Sequence, residues 1–311
     1  MLMSDNVLNV LAACEYRGIG KAWINKNLRG GESVAQIVGL IADKNVSADV
    51  EGFESRRAAI KAEIAALGDA IDGVVAIGDA DFPGIQPGVK NGDCPIALFY
   101  KGDISLIKRA AGNVAVIGLL TPSLQIEEDE REVVRKLVGQ GKCIVSGLAL
   151  GCDTIGHRET LDCAGKTVAF LSSPLTEVNP PSNRPLADEI VKRGGLLVSE
   201  YFRGVHSKRE FIGRYAERDR LQAMFVEAVV LAASYSQKDY GKDSGSRFAM
   251  SKAVEYGVPR YVIYDSKRDG ENPMFNLSRE AIAAGAGIIK PGDDVKITGA
   301  AARGSQLELS I

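Results

Sequence analysis

Apolar residues in the first part of the chain recur at the spacing of an amphipathic helix, over residues 6–67. The sets with this spacing are Val7, Leu8, Val10 and Leu11, followed by Val34, Ile37, Val38 and Ile41. Neither set alternates with polar residues, as the side chains of a half-buried strand would. The pattern therefore predicts a small helical module in residues 1–70.

After residue 70 the pattern changes to short apolar runs with helical stretches between most of them. The runs are GVVAIGD, NVAVIGLL, KCIVSGLAL, KTVAFLSS, GLLVSEYF, EAVVLAAS and PRYVIYD. Continuous apolar runs are typical of parallel strands covered on both faces. The alternation predicts an α/β, Rossmann-like domain with a doubly wound, mostly parallel sheet in residues 71–298. Residues 299–311 show neither pattern and are expected to form a flexible tail.

The composition limits the functions that this fold could serve. The 311 residues carry 38 Lys and Arg against 40 Asp and Glu, so binding to nucleic acid would need a local basic surface. Five cysteines without C-x-x-C spacing and two histidines predict neither disulfides nor a metal site. The sequence shows no basic, apolar leader and no long apolar span, and we expect a cytoplasmic protein without a membrane segment.

The stretch IVSGLALGCDTIGH combines a strand, a loop broken by glycine and the start of a helix. Ser146 and Gly147 follow the apolar run, Gly151 precedes the helix, and Asp153 and His157 lie in its first turns. Small residues at such a turn leave room for an anion beside backbone N–H groups. A tight turn without a ligand explains the same glycines, so the loop alone leaves both interpretations open.

Two other segments carry hydroxyl and guanidinium groups, which suit phosphate. They are Ser244, Gly245, Ser246 and Arg247 in one segment, and Arg214, Arg218 and Arg220 in the other. The first segment follows the predicted strand EAVVLAAS, so it should lie at the same sheet edge as the glycine loop. The second is a helical stretch in which acidic residues lie between the arginines, and a solvated helix face would show the same charges.

Inside the helical module, the Gly-Ile-Gly of YRGIGKAW breaks the helical pattern. Such a break can present backbone N–H groups to a phosphate. A plain helix–helix turn is the simpler interpretation of a single copy.

Motifs of several enzyme classes are absent from the chain. It contains no G-x-S-x-G nucleophile elbow, no G-x-x-x-x-G-K-[ST] phosphate loop and no G-x-G-x-x-G dinucleotide fingerprint. These absences disfavour hydrolytic and redox chemistry, and we expect no bound cofactor.

Five segments together resemble the DNA-processing protein A family, the DprA/Smf group. They are DADFPGIQPGVKNGDCPIALFYKGDISLI, VSGLALGCDTIGHRETLDCAGKTVAFL, NPPSNRPLADEIVKRGGLLVSE, ERDRLQAMFVEAVVLAAS and SGSRFAM. The helical module is similar to the family's sterile-alpha-motif-like domain, and no counterpart of the C-terminal winged helix of many members is expected. The resemblance implies a non-catalytic, homodimeric protein that binds and protects single-stranded DNA and helps to load a RecA-type recombinase during natural transformation.

The resemblance also implies which residues face the DNA. They are Ser146, Gly147, Gly151, Asp153 and His157, with Arg218 and Arg220 and with Ser244, Gly245 and Ser246. Two places depart from the family pattern. Gly118-Leu119-Leu120 stands where members commonly have Gly-Ser-Arg, and Leu150 stands where Arg or Lys is frequent.

The wider superfamily supplies two alternatives, a nucleotide-binding sensor, as used in phage defence, and a nucleotide phosphoribohydrolase. The hydrolases use a P-G-G-x-G-T-x-x-E motif whose Glu performs acid–base chemistry. Here Met250 and Ser251 lie near the place of that Glu, and Glu255 lies further along the helix. The sequence therefore favours non-catalytic nucleotide sensing over hydrolysis as the alternative to DNA binding.

Overall fold

The structure, a computed structural model, describes residues 2–44, 47–110, 112–239 and 245–297. The predicted tail, residues 299–311, lies outside these residues. Within the described ranges, no helix has the length and apolar character needed to cross a membrane.

Helices fill the N-terminal part of the described chain. They are α1 (Asp5–Cys14), α2 (Lys21–Asn27), α3 (Val34–Ala42) and α4 (Val50–Ala65). Ser4, Ser33 and Asp49 each start a helix by accepting a hydrogen bond from a backbone N–H group of the first turn. Helix α2 begins after Gly20 without a side-chain cap, at the Gly-Ile-Gly turn.

A sheet of nine strands forms the centre of the described structure. The strands are β1 (Gly73–Ala76), β2 (Ala97–Gly102), β3 (Asn113–Ile117), β4 (Cys143–Ser146), β5 (Thr167–Leu171), β6 (Leu196–Ser199), β7 (Ala228–Leu231), β8 (Arg260–Ile263) and β9 (Gly287–Ile289). Their order is β1-β2-β6-β5-β4-β3-β7-β8-β9. Strand β2 pairs antiparallel with β1 and β6, and the other pairs are parallel. The predicted α/β fold with a mostly parallel sheet is confirmed.

Helices cover both faces of the sheet. They are α5 (Leu124–Gly139), α6 (Cys152–Asp162), α7 (Arg184–Lys192), α8 (Lys208–Met224), α9 (Ser246–Glu255), α10 (Ser266–Asp269) and α11 (Asn276–Ala283). Successive side chains of a strand point to opposite faces, and β5 shows the consequence. Phe170 stacks on Phe225 at the end of α8, with ring centroids 5.6 Å apart. Its neighbour Leu171 belongs instead to the core that contains Leu186 of α7.

The helical module packs directly on the sheet and shares a hydrophobic core with it. Buried Phe53 of α4 belongs to the same cluster as Phe99 of β2 and Leu197 of β6. An ion pair between Arg203 Nε and Glu63, at 2.5 Å, also crosses the boundary between the module and the β6–α8 loop. The module is therefore fixed on one face of the sheet.

The strand order reverses at β3, because β4 lies on one side of it and β7 on the other. In doubly wound sheets, ligands bind at such a switch point, outside the carboxyl ends of the strands. We refer to the loops that follow β3, β4 and β7 as the carboxyl edge. Of the predicted glycine-loop residues that the structure describes, Ser146 ends β4, and the others lie in these loops or in the helices α6 and α9 that follow them.

Candidate functional site

The three loops of the carboxyl edge contact one another through glycine and serine. Ser246 Oγ, at the start of α9, donates a hydrogen bond to the carbonyl of Gly118 at 3.0 Å. The amide of Cys152, at the start of α6, donates to the carbonyl of Leu119 at 2.9 Å. Gly151 has a φ of +70°, and a Cβ there would lie 2.2 Å from that carbonyl oxygen. The structure thus brings Gly151 and Ser246 together around the loop after β3.

The glycine loop after β4 is closed around the carboxylate of Asp153. Asp153 Oδ2 accepts hydrogen bonds from the amides of Gly147 and Ala149, both at 3.1 Å. The sequence analysis predicted that amides of this loop could bind a phosphate. In the structure these two amides donate to a side-chain carboxylate instead. Asp153 therefore stabilises the loop from within, in the place where an anion was predicted to bind.

Two side chains hold the carbonyl side of the same loop. Thr154 Oγ1 donates to the carbonyl of Ala149 at 2.6 Å, and Asn183 Nδ2 donates to that of Leu148 at 2.9 Å. Leu148 has a φ of +60°, a left-handed conformation that is strained for leucine, and its side chain is fully buried. Asn183 was missing from the predicted site, because it follows β5 and nothing in its local sequence indicates this contact.

Ser146 and His157 lie inside the protein and do not reach the surface of the edge. Ser146 Oγ donates to the carbonyl of Val116 at 2.7 Å, which ties β4 to β3. The hydroxyl of Thr167 donates to a backbone carbonyl at 2.7 Å, so it accepts the proton of His157 Nδ1 across 2.6 Å. Burial, with a contribution from the nearby charge of Arg218, lowers the pKa of His157 to about 3. His157 is therefore a neutral structural side chain.

Arg218 lies beneath the glycine loop, where it is only 4% exposed. Its Nη1 atom donates to the carbonyl of Phe170 at 3.2 Å and lies 3.8 Å from Asp153 Oδ2. Its Nε atom lies 3.1 Å from Asp219 Oδ1. A Cβ on Gly147 would fall 1.2 Å from Nη1, so glycine is required to let the guanidinium fit. The structure places this guanidinium under the loop rather than in an open groove.

Arg220 and Arg214 are also buried, and each has a carboxylate partner. Arg220 contacts Glu200 through two hydrogen bonds of 2.6 and 2.7 Å. Arg214 donates to Glu210 at 2.6 Å and lies over the ring of Tyr201. The structure therefore does not bring these predicted phosphate-binding groups to the surface. Their partners were not part of the predicted site.

Three large apolar side chains are exposed at the carboxyl edge and at the start of α9. Leu120, Leu150 and Phe248 are 48%, 49% and 41% exposed. Arg247 is half-buried, and its guanidinium carbon lies 4.6 Å from the ring centroid of Phe248. Gly245 precedes α9 with a φ of +81°. Ser244, which was also predicted to bind phosphate, lies outside the described residues.

A family model described as DNA recombination-mediator protein A matches residues 73–298. The chain is 32% identical to DNA processing protein DprA from Streptococcus pneumoniae over 203 residues, which are 65% of this chain and 66% of that protein. It is 33% identical to Protein Smf from Synechocystis over 140 residues, 44% of this chain and 34% of that protein. The matched segments thus span less than two-thirds of either relative.

Two solved structures share the fold. The X-ray structure of DNA processing protein A from Streptococcus pneumoniae has a TM-score of 0.70 at 24% identity, covering 95% of this chain and 98% of that one. DNA processing protein A from Helicobacter pylori, solved in work on its single-stranded DNA binding mode, has a TM-score of 0.55 at 24% identity. The second comparison covers 70% of this chain and 90% of the other. At 24% identity these comparisons show a common fold.

Proposed function

Because the chain belongs to the DNA recombination-mediator protein A family, we propose that it binds single-stranded DNA at the carboxyl edge of its sheet. The observation that carries this proposal is the convergence of the loops after β3, β4 and β7 at the switch point. The Helicobacter pylori relative, which has the same fold, is described as a single-stranded DNA-binding protein.

In this proposal the edge offers two kinds of surface to a strand. Gly151, Gly245 and Ser246 let a phosphate approach the backbone closely, with Arg247 as the adjacent cation. The exposed ring of Phe248 provides a surface on which a base can stack. Leu120 and Leu150, which replace residues that are often basic in the family, add apolar contact to the bases rather than charge.

The remaining predicted residues support this surface from below. Asp153, His157 and Ser146 fix the glycine loop and the strands that carry it. Arg218 fills the space under Gly147, and Arg214 and Arg220 connect α8 to its surroundings. We propose that these side chains act by positioning the loops and not by direct contact with phosphate.

The cellular role follows from the family rather than from the geometry. We propose that the protein acts as a homodimer, protects single strands and assists a RecA-type recombinase, as in natural transformation. We propose no catalytic step. The carboxylate of Glu255, at the far end of α9 from the edge, is paired with Lys90 and Lys252. This position does not suit the acid–base role of the phosphoribohydrolase alternative.

The proposal is tested by fluorescence anisotropy with labelled oligo-dT of increasing length, at about 50 and 200 mM salt. We expect affinity to rise with length and to fall steeply with salt, because phosphate contacts release counterions. Arg247→Glu should weaken binding about tenfold or more, since it replaces a phosphate contact with a repulsive charge. Lys166→Glu is the matched control, because Lys166 is exposed and precedes β5 at the opposite end of the sheet.

Mononucleotides are titrated in parallel to test the alternative. Tight binding of a mononucleotide without affinity for any oligonucleotide would show that the protein is a nucleotide sensor. Equal effects of the Arg247 and Lys166 variants would instead remove the carboxyl edge from the DNA-binding surface.

A further inference from the structure

An open cavity of about 710 Å³ lies where the helical module meets α8. This volume is in the range of pockets that hold small ligands. Its lining includes Lys21, Trp23, Lys26, Lys44, Asp93 and Glu217, together with the glycines of the Gly-Ile-Gly turn. We call it the module cavity.

The acidic groups of the module cavity are neutralised within the protein. Glu217 forms an ion pair with Lys21 at 2.7 Å and accepts a hydrogen bond from the hydroxyl of Tyr201. Burial raises the pKa of Glu217, but the charge and hydrogen bond of Lys21, together with Arg220 and the hydroxyl of Tyr201, lower the pKa by more, so Glu217 is ionised. Asp93 is paired with Lys252 at 2.6 Å. Neither carboxylate leaves a net negative charge in the cavity.

The cationic side of the cavity is not neutralised in the same way. Lys26 and Lys44 are exposed, and they form no ion pair with any residue in the described part of the chain. Arg220 also lines the cavity, but its charge is matched by Glu200. The cavity therefore carries a net positive charge from two available ammonium groups, which attracts anions.

Trp23 gives the same cavity an aromatic wall. It is the single tryptophan of the chain, it is half-exposed, and it lines the cavity beside Lys26. Gly18 and Gly20 on the neighbouring wall have no atom within 4 Å of the place where a Cβ would stand, so this wall is open. A flat aromatic surface beside ammonium groups is the combination that binds a base and its phosphate.

The cavity and the glycine loop lie at the same level of α8, on different sides of the helix. Glu217 lines the cavity, and the next residue of α8, Arg218, lies under Gly147 of the glycine loop. Consecutive residues of a helix rise by about 1.5 Å along its axis and point about 100° apart around it. A ligand that contacts both places would therefore have to pass around α8, which is about 10–12 Å across with its side chains.

We propose that the module cavity binds a nucleotide unit of the same single strand that occupies the carboxyl edge, with a base on Trp23 and phosphates at Lys26 and Lys44. This inference rests on the proposed function. It assigns to the helical module a direct role in holding the strand, and it gives the Gly-Ile-Gly turn the function of keeping one wall of the cavity open.

Because Trp23 is the only tryptophan, its fluorescence reports on the module cavity directly. Oligo-dT and the mononucleotide dTMP are titrated into the full chain while tryptophan emission is recorded, and anisotropy of labelled oligo-dT is measured in parallel. We expect the oligonucleotide to quench Trp23 over the same concentration range in which anisotropy rises. We expect dTMP at equal nucleotide concentration to quench much less, because it lacks the contacts at the carboxyl edge.

Variants separate the contributions of charge and stacking. Lys26→Glu combined with Lys44→Glu should weaken oligonucleotide binding about tenfold or more and reduce its salt dependence. Trp23→Ala should weaken it about tenfold, whereas Trp23→Phe should retain most of the affinity. Lys61→Glu is the matched control, because Lys61 is an exposed lysine of the same module that does not line the cavity. Circular dichroism checks that each variant is folded.

Each outcome bears on one proposal or both. Anisotropy binding without quenching, and with the lysine double variant equal to Lys61→Glu, overturns the module cavity and leaves the proposed function intact. Quenching by dTMP as strong as that by the oligonucleotide shows a mononucleotide site and overturns the shared strand. If the wild-type protein binds no oligonucleotide at all, the proposed function fails, and the module cavity fails with it.

Discussion

The arginines of α8 and the lysines of the module cavity use their positive charges in opposite ways. On α8, Arg214, Arg218 and Arg220 are at most 8% exposed, and each lies against a carboxylate. In the cavity, Lys26 and Lys44 are exposed and have no ion pair among the described residues. The arginines therefore fix the position of α8 and leave little charge available to a ligand, whereas the two lysines leave their charge available.

The difference has a physical cause. A buried guanidinium group is stable only when a carboxylate and hydrogen-bond acceptors replace the water it has lost. Because Glu200 neutralises Arg220 and Asp219 neutralises Arg218, little of the positive charge of these arginines remains to attract a ligand. The buried arginines instead make this part of the structure rigid, because they connect α8 to the loops and strands around it. The arginines of α8 thus position the loops, whereas Lys26 and Lys44 attract the ligand.

The strongest test of this comparison is to remove one buried arginine. Arg220→Met should lower the free energy of unfolding by about 3–5 kcal/mol, because it leaves Glu200 as a buried charge without its main partner. The remaining cation near Glu200 is Lys21, at 3.3 Å. Chemical denaturation measures the change, and Lys26→Met is the control, for which we expect a change within about 0.5 kcal/mol.

The opposite result would break the comparison. If Arg220→Met were as stable as the wild-type protein and yet lost oligonucleotide binding, the charge of Arg220 would act on the ligand. The arginines of α8 would then resemble the lysines of the module cavity.

A second test concerns the glycine that covers Arg218. A Cβ at Gly147 would lie 1.2 Å from Arg218 Nη1 and 2.6 Å from Gln222 Nε2. Gly147→Ala should therefore cost about 1–3 kcal/mol of stability, as overpacked sites do. Gly213→Ala is the matched control on α8, where a Cβ meets nothing within 4 Å, and it should gain about 0.5–1 kcal/mol from helix propensity.

Thermal or chemical unfolding of the two alanine variants should thus give changes of opposite sign. A neutral effect of Gly147→Ala would mean that the guanidinium of Arg218 can leave its place without cost. Such a result would reopen Arg218 as a direct contact with DNA.

Most of the sheet was predictable because buried parallel strands are continuous apolar runs with helices between them. Strand β2 was missed because it is antiparallel and no α-helix separates it from β1 or β3, so it lies outside that alternation. Strand β9 was missed because it has three residues and its central Ile288 is 53% exposed. The rule that reveals parallel strands therefore fails where a sheet ends.

The convergence of the loops was predictable for a related reason. Parallel strands place their carboxyl ends at one edge, so Gly151 and Ser246 had to approach each other. The burial of the arginines in ion pairs was not predictable from the sequence. The partner of Arg220, for example, is Glu200, which lies 20 residues away on another element. Likewise the sequence placed Asp153 only in the first turns of a helix, and the folded loop shows that its carboxylate accepts hydrogen bonds from the amides of Gly147 and Ala149.

A further predicted effect concerns His157, which holds the glycine loop's helix against β5. Its pKa is lowered to about 3 by burial, whereas an unfolded histidine titrates near 6.5. Below about pH 6.5 the unfolded chain binds a proton that the folded protein does not, so stability falls as pH decreases, by up to about 1.4 kcal/mol per pH unit. Above that pH the contribution is complete and constant.

His157→Asn should remove this slope while keeping a donor for Thr167, because an asparagine amide donates a hydrogen bond and does not titrate. Unfolding free energies at about pH 6.5, 5.5 and 4.5 are compared between the two proteins, so that changes from carboxyl groups cancel. Burial raises the pKa of Glu130, which gives the opposite dependence on pH in both proteins. Equal slopes in the two proteins would mean that His157 becomes charged in the folded state, with an imidazolium buried near Arg218 under the glycine loop.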